Sequence, residues 1–457
     1  MKTLIKNGLV LLRDSSGWKL EYTDILITDT RITSLLLSQE NVPPAGADPP
    51  SLNSPLSSLN SPFVSHIIDA RNKLVMPGLI NAHTHAYMTI HRNVADDLPF
   101  FDWLDAVQKI EDHMTEEDVY CTTLLAIIEM LRTGTTCFVD MTIKSAQEKS
   151  GPRSAAAGAV YDSGFRAVIS RGLAGVSDSE ESLMKYGQAV REMDLFRDEP
   201  RLQFMHGPHA PYSCMPDYLQ KLTRSARDRG IGQTIHLSES KAEMEGMQKE
   251  HDSTPIAYVN DIGVFDVPVI AAHCVYATDG DIRLMAEKKV NIALCPKSNM
   301  KLGNGFAPAQ KFLNAGLNVC LGTDGCGSNN SLNMFSEMNA AALAYKGAAR
   351  SPRCVSASEV LEMATVNGAK AIGREGELGI IREGALADLI LLDLNVPQFL
   401  PQNDILSGLV YSSTGTEVDT VLVNGRVLME NKHLTTIDES LVFSACENIM
   451  TRIQNSL

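Results

Sequence analysis

The sequence lacks any Cys-x-x-Cys pair, although it contains nine cysteines scattered singly from Cys121 to Cys446. Closely spaced pairs would indicate a thiolate zinc site, and an even set at regular spacing would indicate a disulfide framework. Because neither pattern is present, we predict a chain with reduced cysteines and a cytoplasmic location.

Apolar runs long enough to span a bilayer are also missing. The N-terminal segment 1–14 is apolar, but Lys6 and Asn7 interrupt it, and no small-residue cleavage site follows a long hydrophobic region. We therefore expect this segment to form a β-strand and not a signal peptide, and we expect no membrane partner.

Basic residues are the minority charge, with 40 Lys and Arg against 55 Asp and Glu and a formal net charge of −15. So acidic a surface repels phosphate backbones, which argues against nucleic acid as a partner and favours a small neutral or zwitterionic substrate. The 457 residues, 44% of them hydrophobic, are enough for two domains or for one barrel with an accessory domain. Whether the chain forms homo-oligomers is left open.

The central part of the chain alternates between short β-rich apolar runs and helical segments. The eight runs are KLVMPGLINAH, TTCFVDM, FRAVISRG, LQFMHGPH, GQTIHLSE, PVIAAHC, VNIALCP and NVCLGTD. One helical segment begins after Thr115, a suitable N-cap, and stops at Gly134. Eight strands that are each followed by a crossover predict an α/β fold, an (α/β)8 TIM-type barrel over residues 74–379.

The two ends of the chain are rich in strands and turns. We predict that residues 1–73 and 380–436 pair into one small β-sandwich domain, with a hairpin turn at Asn424-Gly425. Residues 41–62 are rich in Pro and Ser and contain SLNSP twice, so we expect a surface insert without a catalytic part. Residues 437–457 are expected to form a terminal helix.

Polar side chains collect where the predicted barrel strands end. His83 and His85 flank Thr84, and residues two apart on a strand point to the same side. An isolated His-x-His motif lies more often in a polar loop than in a metal site. Here, however, further polar residues follow other strands, namely His209, His236, Glu239, His273 and Asp324. Because barrel enzymes build their sites on this rim, the sequence indicates a functional site.

Several motifs resemble those of the amidohydrolase superfamily, and within it those of the 5-methylthioadenosine/S-adenosylhomocysteine deaminases. They are PGLINAHTHAYMTIHRNVADDLPFFDWL, GPHAPYSC, TIHLSES, AAHCVY, CPKSNMKLGNGFAP, LGTDGCGSNNSLNMF and GELGIIREGALADLILLDL. The resemblance implies hydrolytic deamination of adenosine, methylthioadenosine or S-adenosylhomocysteine, with release of ammonia.

The resemblance also implies a metal centre that activates water. One divalent ion per chain, zinc with iron left open, would be bound by His83, His85, His236 and Asp324. The fourth strand carries no lysine that could form a bridging carbamate, which favours a single ion. Asp324 would also act as the base, Glu239 would protonate the ring nitrogen, and His273 would stabilise the tetrahedral centre.

Contacts to the substrate are implied by the same resemblance. Trp103 would cover the base, Glu111 would bind the sugar hydroxyls, and His209 would bind the nucleoside, together with Glu239 and Asp324. Trp103 could equally be core, and Glu111 a solvated helix face. Arg171 and Ser328 would contact the group beyond the 5′ carbon. His206 is expected to be an imidazole hydrogen-bonded to backbone.

Two other functions are compatible with these motifs. Another amidohydrolase reaction on a nitrogen heterocycle, such as guanine or cytosine deamination or triazine dechlorination, would use the same metal ligands. A non-catalytic barrel scaffold would be marked by the loss of ligands. All of the ligands and Glu239 are present, so the scaffold is disfavoured, although fold alone would not establish activity.

Overall fold

The computed structural model describes residues 1–37, 64–142 and 155–457. The Pro- and Ser-rich insert predicted at 41–62 lies outside the described residues. None of the helices in these three ranges is long and apolar enough to cross a membrane.

The described residues form two sheets surrounded by helices. The strands of the first sheet are β1 Lys2–Asp14, β2 Gly17–Thr28, β3 Arg31–Leu37, β4 His66–Asp69, β5 Lys73–Pro77, β14 Leu389–Asp393, β15 Val418–Val423, β16 Arg426–Glu430 and β17 His433–Leu434. The strands of the second sheet are β6 Leu79–Thr84, β7 Thr135–Thr142, β8 Arg166–Leu173, β9 Leu202–Pro208, β10 Gly232–Leu237, β11 Val269–His273, β12 Asn291–Leu294 and β13 Asn318–Leu321.

Helices follow the strands of the second sheet and flank both sheets. They are α1 Phe100–Glu111, α2 Glu116–Arg132, α3 Ala156–Ser163, α4 Glu180–Leu195, α5 Pro216–Arg229, α6 Lys241–His251, α7 Pro255–Ile262, α8 Asp279–Glu287, α9 Pro296–Lys301, α10 Ala309–Asn314, α11 Met334–Ala349, α12 Ala357–Met363, α13 Val366–Ala371, α14 Ile405–Tyr411 and α15 Glu439–Gln454. Helix α2 begins with a capping box between Thr115 and Asp118, as expected from the N-cap signal.

The second sheet is the predicted barrel. Its eight strands are parallel neighbours in chain order from β6 to β13. The first and last strands meet where the Asp324 amide donates to the His83 carbonyl at 3.0 Å. Gly322 allows this approach, because a Cβ atom there would lie 2.7 Å from the carbonyl oxygen of His83. The (α/β)8 prediction is confirmed.

The first sheet is built from both ends of the chain, which confirms the predicted small β domain. Its strand order is β17-β16-β15-β14-β5-β1-β2-β3, with β4 also paired to β1. The run KLVMPGLINAH, read above as one strand, divides between the two sheets at Gly78. A Cβ atom on Gly78 would lie 2.1 Å from Thr136 Oγ1, so the chain packs too tightly here for any other residue. The barrel therefore begins at Leu79, a few residues after the expected 74.

A buried ion pair joins the barrel to the sheet of the chain ends. Arg166, at the start of β8, donates from Nε to Asp388 Oδ2 at 2.6 Å and from Nη2 to Asp388 Oδ1 at 3.1 Å. Both side chains are buried. The terminal helix α15 begins at Glu439, close to the expected 437, and contacts α2 through the Arg132–Glu439 pair.

Candidate active site

A cleft lies over the carboxyl ends of the barrel strands. Its walls come from strand ends and from helix α1, which covers it on one side. The lining residues are His85, Tyr87, Met88, Phe100, Trp103, Leu104, Val107, Gln108, Glu111, Met141, Thr142, Gly172, His209, Tyr212, His236, Glu239, His273 and Asp324.

Three imidazoles and one carboxylate converge at the floor of this cleft. His85 Nε2 lies 3.2 Å from His236 Nε2 and 3.2 Å from Asp324 Oδ1, and His83 Nε2 lies 3.5 Å from the same oxygen. Ligands at the usual zinc distances of about 2.0–2.2 Å and tetrahedral angles are separated by roughly 3.3 Å. The spacing of the four predicted ligands therefore suits a single tetrahedral ion.

His273 also reaches this centre. The ligand atoms of His83, His236, His273 and Asp324 all lie within 4.8 Å of one another. The His273 ring is turned towards Glu239, whose Oε2 atom lies 3.8 Å from His273 Nε2. His85 is not a member of this group, but its Nε2 atom lies 3.2 Å from both His236 Nε2 and Asp324 Oδ1, the spacing of ligands that share one ion.

Hydrogen bonds at the far side of the ring orient three of the imidazoles, those of His85, His236 and His273. His85 Nδ1 donates to the Met141 carbonyl at 2.6 Å, and His236 Nδ1 donates to the His209 carbonyl at 2.8 Å. His273 Nδ1 lies 3.0 Å from Asn299 Oδ1. An N–H at Nδ1 leaves the lone pair on Nε2, the atom that faces the centre, and such partners fix the ring of a metal-binding histidine.

Burial keeps two of the imidazoles neutral, the form that binds a cation. It lowers the pKa of His83 to about 4 and the pKa of His236 well below its usual range, so both rings are neutral. Burial also opposes charge on His85, but Asp324 raises the pKa of that ring to about 9. Both ring nitrogens of His83 lack a hydrogen-bond partner among the described residues. Buried polar atoms without partners are costly, and a metal bound at Nε2 would satisfy one of the two His83 nitrogens.

The two carboxylate oxygens of Asp324 have different surroundings. Its Oδ2 atom accepts hydrogen bonds from Ser298 Oγ at 2.7 Å and from Ser328 Oγ at 2.6 Å. These bonds leave Oδ1 facing the imidazoles. Ser328 was expected to contact the group beyond the 5′ carbon, and the structure instead places its hydroxyl on this carboxylate.

Glu239 stands beside the centre. It is buried, and burial raises the pKa of its carboxyl group above the usual range. Asn304 Nδ2 donates to Glu239 Oε1 at 3.4 Å. A carboxyl group with a raised pKa in a cleft is suited to donate a proton near neutral pH.

The three residues expected around the base and sugar all line the cleft. Trp103 is buried and donates from Nε1 to the Gly327 carbonyl at 3.0 Å, so it belongs both to the core and to the cleft wall. Glu111 is buried and accepts a hydrogen bond from the Tyr87 hydroxyl, so it is not a solvated helix face. His209 Nδ1 lies 2.9 Å from Ser213 Oγ.

Arg171 lies away from the cleft. Successive side chains on a strand point to opposite faces, and Gly172 rather than Arg171 lines the cavity. Arg171 Nη1 donates to Glu116 Oε1 at 3.0 Å, and both side chains are buried. Two acidic residues that follow Arg171 in the sequence, Glu180 and Glu181, lie in the first turn of helix α4. Ser179 is the N-cap of that helix.

Several supporting residues were not predicted from the sequence. Ser298, Asn299 and Asn304 support Asp324, His273 and Glu239, and all three lie in the motif CPKSNMKLGNGFAP, to which no role was given. The expected backbone partner of His206 is wrong, because its Nε2 atom lies 2.9 Å from the side-chain hydroxyl of Ser225. This side-chain pair was not visible in the sequence, since Ser225 lies on helix α5.

A mixed set of histidine and carboxylate ligands at the mouth of a barrel defines a metal-dependent hydrolase of the TIM-barrel class. The amidohydrolase family model matches residues 74–428, and the chain belongs to that family.

Named relatives are similar over most of the chain. A 5-methylthioadenosine/S-adenosylhomocysteine deaminase of Moorella thermoacetica is 43% identical over 381 residues, which are 83% of this chain and 87% of the relative. A 5′-deoxyadenosine deaminase of Methanosarcina mazei is 39% identical over 459 residues, covering 99% of each chain. A crystal structure of an adenosine deaminase from Xanthomonas campestris with bound zinc has a TM-score of 0.88 and 28% identity, covering 99% of this chain and 98% of that one.

Proposed function

We propose that this protein is a zinc-dependent aminohydrolase that deaminates adenine nucleosides, namely adenosine, 5-methylthioadenosine and S-adenosylhomocysteine. The products are the 6-oxo purine nucleoside and ammonia. The observation that carries the proposal is the buried Glu239 carboxyl group, which lies in the same cleft as the proposed metal ligands and close to His273. The names of the relatives support the same reaction.

When bound by His83, His85, His236 and Asp324, one zinc ion supplies a Lewis acid that makes hydroxide available from water near neutral pH. Asp324 accepts the proton of the attacking water, since Ser298 and Ser328 hold its other oxygen. Glu239 donates a proton to the ring nitrogen next to the attacked carbon, where negative charge would otherwise develop. The bond from that carbon to the amine then breaks, and the amine leaves as ammonia with the proton that Asp324 took from water, while the O–H proton of the tetrahedral centre returns to Glu239. His273 accepts a hydrogen bond at Nε2 from the O–H group of the incoming water and so holds its oxygen in place.

The upper part of the cleft binds the nucleoside. Trp103 covers the purine face, and the Glu111 carboxylate accepts hydrogen bonds from the sugar hydroxyls. His209 contacts the nucleoside from the opposite wall. The relatives described above are named as deaminases of adenine nucleosides, which favours nucleosides over free heterocyclic bases. Guanine or cytosine deamination and triazine dechlorination are therefore less well supported.

We also propose a cytoplasmic location. All nine cysteines are unpaired, and eight of them are buried, which supports a reducing compartment. That nucleic acid is not a partner stays a prediction from charge, and homo-oligomerisation is left open.

A substrate panel tests the proposed function. Protein reconstituted with zinc should hold one ion per chain and should release ammonia from adenosine, 5-methylthioadenosine, S-adenosylhomocysteine and 5′-deoxyadenosine. Elemental analysis measures the metal, and ammonia release with the change in purine absorbance measures turnover. Guanine, cytosine and a chlorotriazine serve as controls. Turnover confined to those controls, or a requirement for two ions, would contradict the proposal.

Arg171→Gln should lower stability and should not change the choice among these nucleosides. Breaking a buried ion pair by removing one partner costs about 3–5 kcal/mol, because Glu116 is left charged and buried. Denaturant unfolding measures the loss, and the double variant Glu116→Gln/Arg171→Gln should recover part of it. A selective loss of kcat/KM for S-adenosylhomocysteine in Arg171→Gln would instead place the guanidinium at the amino acid end of that substrate.

A further inference from the structure

A buried carboxylate lies beneath the turn that carries Glu239. Glu243, on helix α6, accepts a hydrogen bond from the Ser238 amide to Oε1 at 3.0 Å and another from the Glu239 amide to Oε2 at 2.7 Å. The side chain is buried, and Glu243 is not among the residues that line the cleft. It therefore contacts the backbone of the proposed acid without contacting the substrate site.

This arrangement differs from an ordinary helix cap. Ser240 is the N-cap of α6, and its hydroxyl accepts from the Glu243 amide at 3.1 Å. In a capping box, the carboxylate at the Glu243 position would return to the amide of the N-cap residue itself. Here it reaches one and two residues further back, to the turn between β10 and α6. The bonds therefore hold the turn as well as the helix.

The turn needs such support because its backbone is strained. Ser238 has a φ of 49°, in the left-handed region that is unfavourable for a side chain with a Cβ atom. The Ser238 carbonyl accepts from the Tyr276 amide at 2.9 Å, and the Leu237 carbonyl accepts from the Cys274 amide at 3.0 Å. These contacts fix the carbonyl groups, and Glu243 fixes the amide groups of the same turn.

We propose that Glu243 is a positioning residue for the deamination reaction, because its two hydrogen bonds set the direction in which the Glu239 carboxyl group leaves the turn. Without them, Ser238 can relax to a more favourable φ and swing Glu239 away from the ring nitrogen. This inference rests on the proposed function of Glu239. It assigns a role to the second glutamate of the motif HLSESKAE, which lies outside the cleft.

Glu243→Gln tests the inference. The amide side chain presents an N–H group to one of the two backbone amides, so one hydrogen bond is lost. A misplacement of about 1 Å can cost up to about 10²-fold in rate, so we expect kcat to fall about 10–100-fold. The metal content should change little, since no ligand is touched, and KM should change less than kcat, since Glu239 is the one nucleoside contact that the substitution moves. If the glutamine variant does not fold, Glu243→Asp retracts the carboxylate by one methylene and should show the same pattern.

Glu417→Gln is the matched control. Glu417 is a buried glutamate that accepts hydrogen bonds from the Thr414 amide at 3.2 Å and from Ser413 Oγ at 2.9 Å, next to strand β15. This variant should lose stability without a change in kcat. The inference alone is overturned if the wild-type enzyme is active and the Glu243→Gln variant has a normal kcat. It is also overturned if that variant loses metal in step with activity. A wild-type enzyme that deaminates no adenine nucleoside overturns the proposed function and this inference together.

Discussion

Replacing Asp324 by alanine should remove both the bound metal and the deaminase activity. The Oδ1 atom of Asp324 lies 3.2 Å from His85 Nε2 and 3.5 Å from His83 Nε2, at the spacing of ligands that share one ion. The same carboxylate is proposed to accept the proton of the attacking water. Loss of the base alone lowers turnover about 10²–10⁴-fold, and loss of a ligand adds to this. Elemental analysis after dialysis and ammonia release with adenosine measure the two effects.

Ser328→Ala serves as the control for Asp324→Ala. It removes one hydrogen bond to Asp324 Oδ2 and leaves the carboxylate in place. Partners that orient a metal ligand are typically worth about 10–100-fold in metal affinity or activity. Ser328→Ala should therefore weaken metal binding by less than Asp324→Ala does. Full metal content in Asp324→Ala would show that Asp324 is not a ligand, and His273 would then replace it in the ligand set.

That the proposed ligands come together was predictable because of the regularity of the barrel. His83, His236 and Asp324 are far apart in the sequence, yet each follows a run that reads as a strand. In a parallel barrel the carboxyl ends of all strands meet at one rim, so strand order brings these residues together without knowledge of helix packing. The Thr115 cap and the helix after it were predictable for a similar reason, since a capping box is local.

Arg171 shows what strand patterns leave open. In the run FRAVISRG, Val168, Ser170 and Gly172 share one face, and Ile169 and Arg171 share the other. Both faces of a barrel strand are buried, the inner one by the barrel core and the outer one by helices, so alternation does not tell which face is inward. The partner Glu116 lies on helix α2, 55 residues away in the sequence. Only the packing of that helix on the barrel reveals the pair.

The division of KLVMPGLINAH between two sheets could not be predicted from the sequence for a related reason. Strands β5 and β6 are both buried, apart from Lys73 at the start of β5, and they differ in their pairing partners. Strand β5 pairs with β14, more than 300 residues later, and β6 pairs with β7. The Gly78 contact with Thr136 that separates them is a tertiary contact without a local sequence signal.

The sharpest test concerns Glu239, which lies near the metal ligands but is proposed to bind no metal. Glu239→Gln keeps the shape of the side chain and removes the acid, so the variant should fold and hold one metal ion per chain. It should still bind nucleoside, because an amide can donate a hydrogen bond to a ring nitrogen. Turnover should fall by about 10²–10⁴-fold, the usual loss for a missing general acid. The control is Glu245→Gln, the same substitution on the exposed side of α6, which should change neither the metal content nor the turnover.

The pH dependence of turnover adds a second signature for Glu239. Burial raises the pKa of this carboxyl group, and the group donates its proton only while it is protonated. Wild-type turnover should therefore decline as pH rises through that raised pKa, and the residual turnover of Glu239→Gln should lack this decline. Steady-state kinetics across pH measure both profiles. If the variant loses metal in step with activity, Glu239 is a ligand. If it keeps near-normal turnover of every nucleoside, another group supplies the proton and the proposed mechanism fails at its central step.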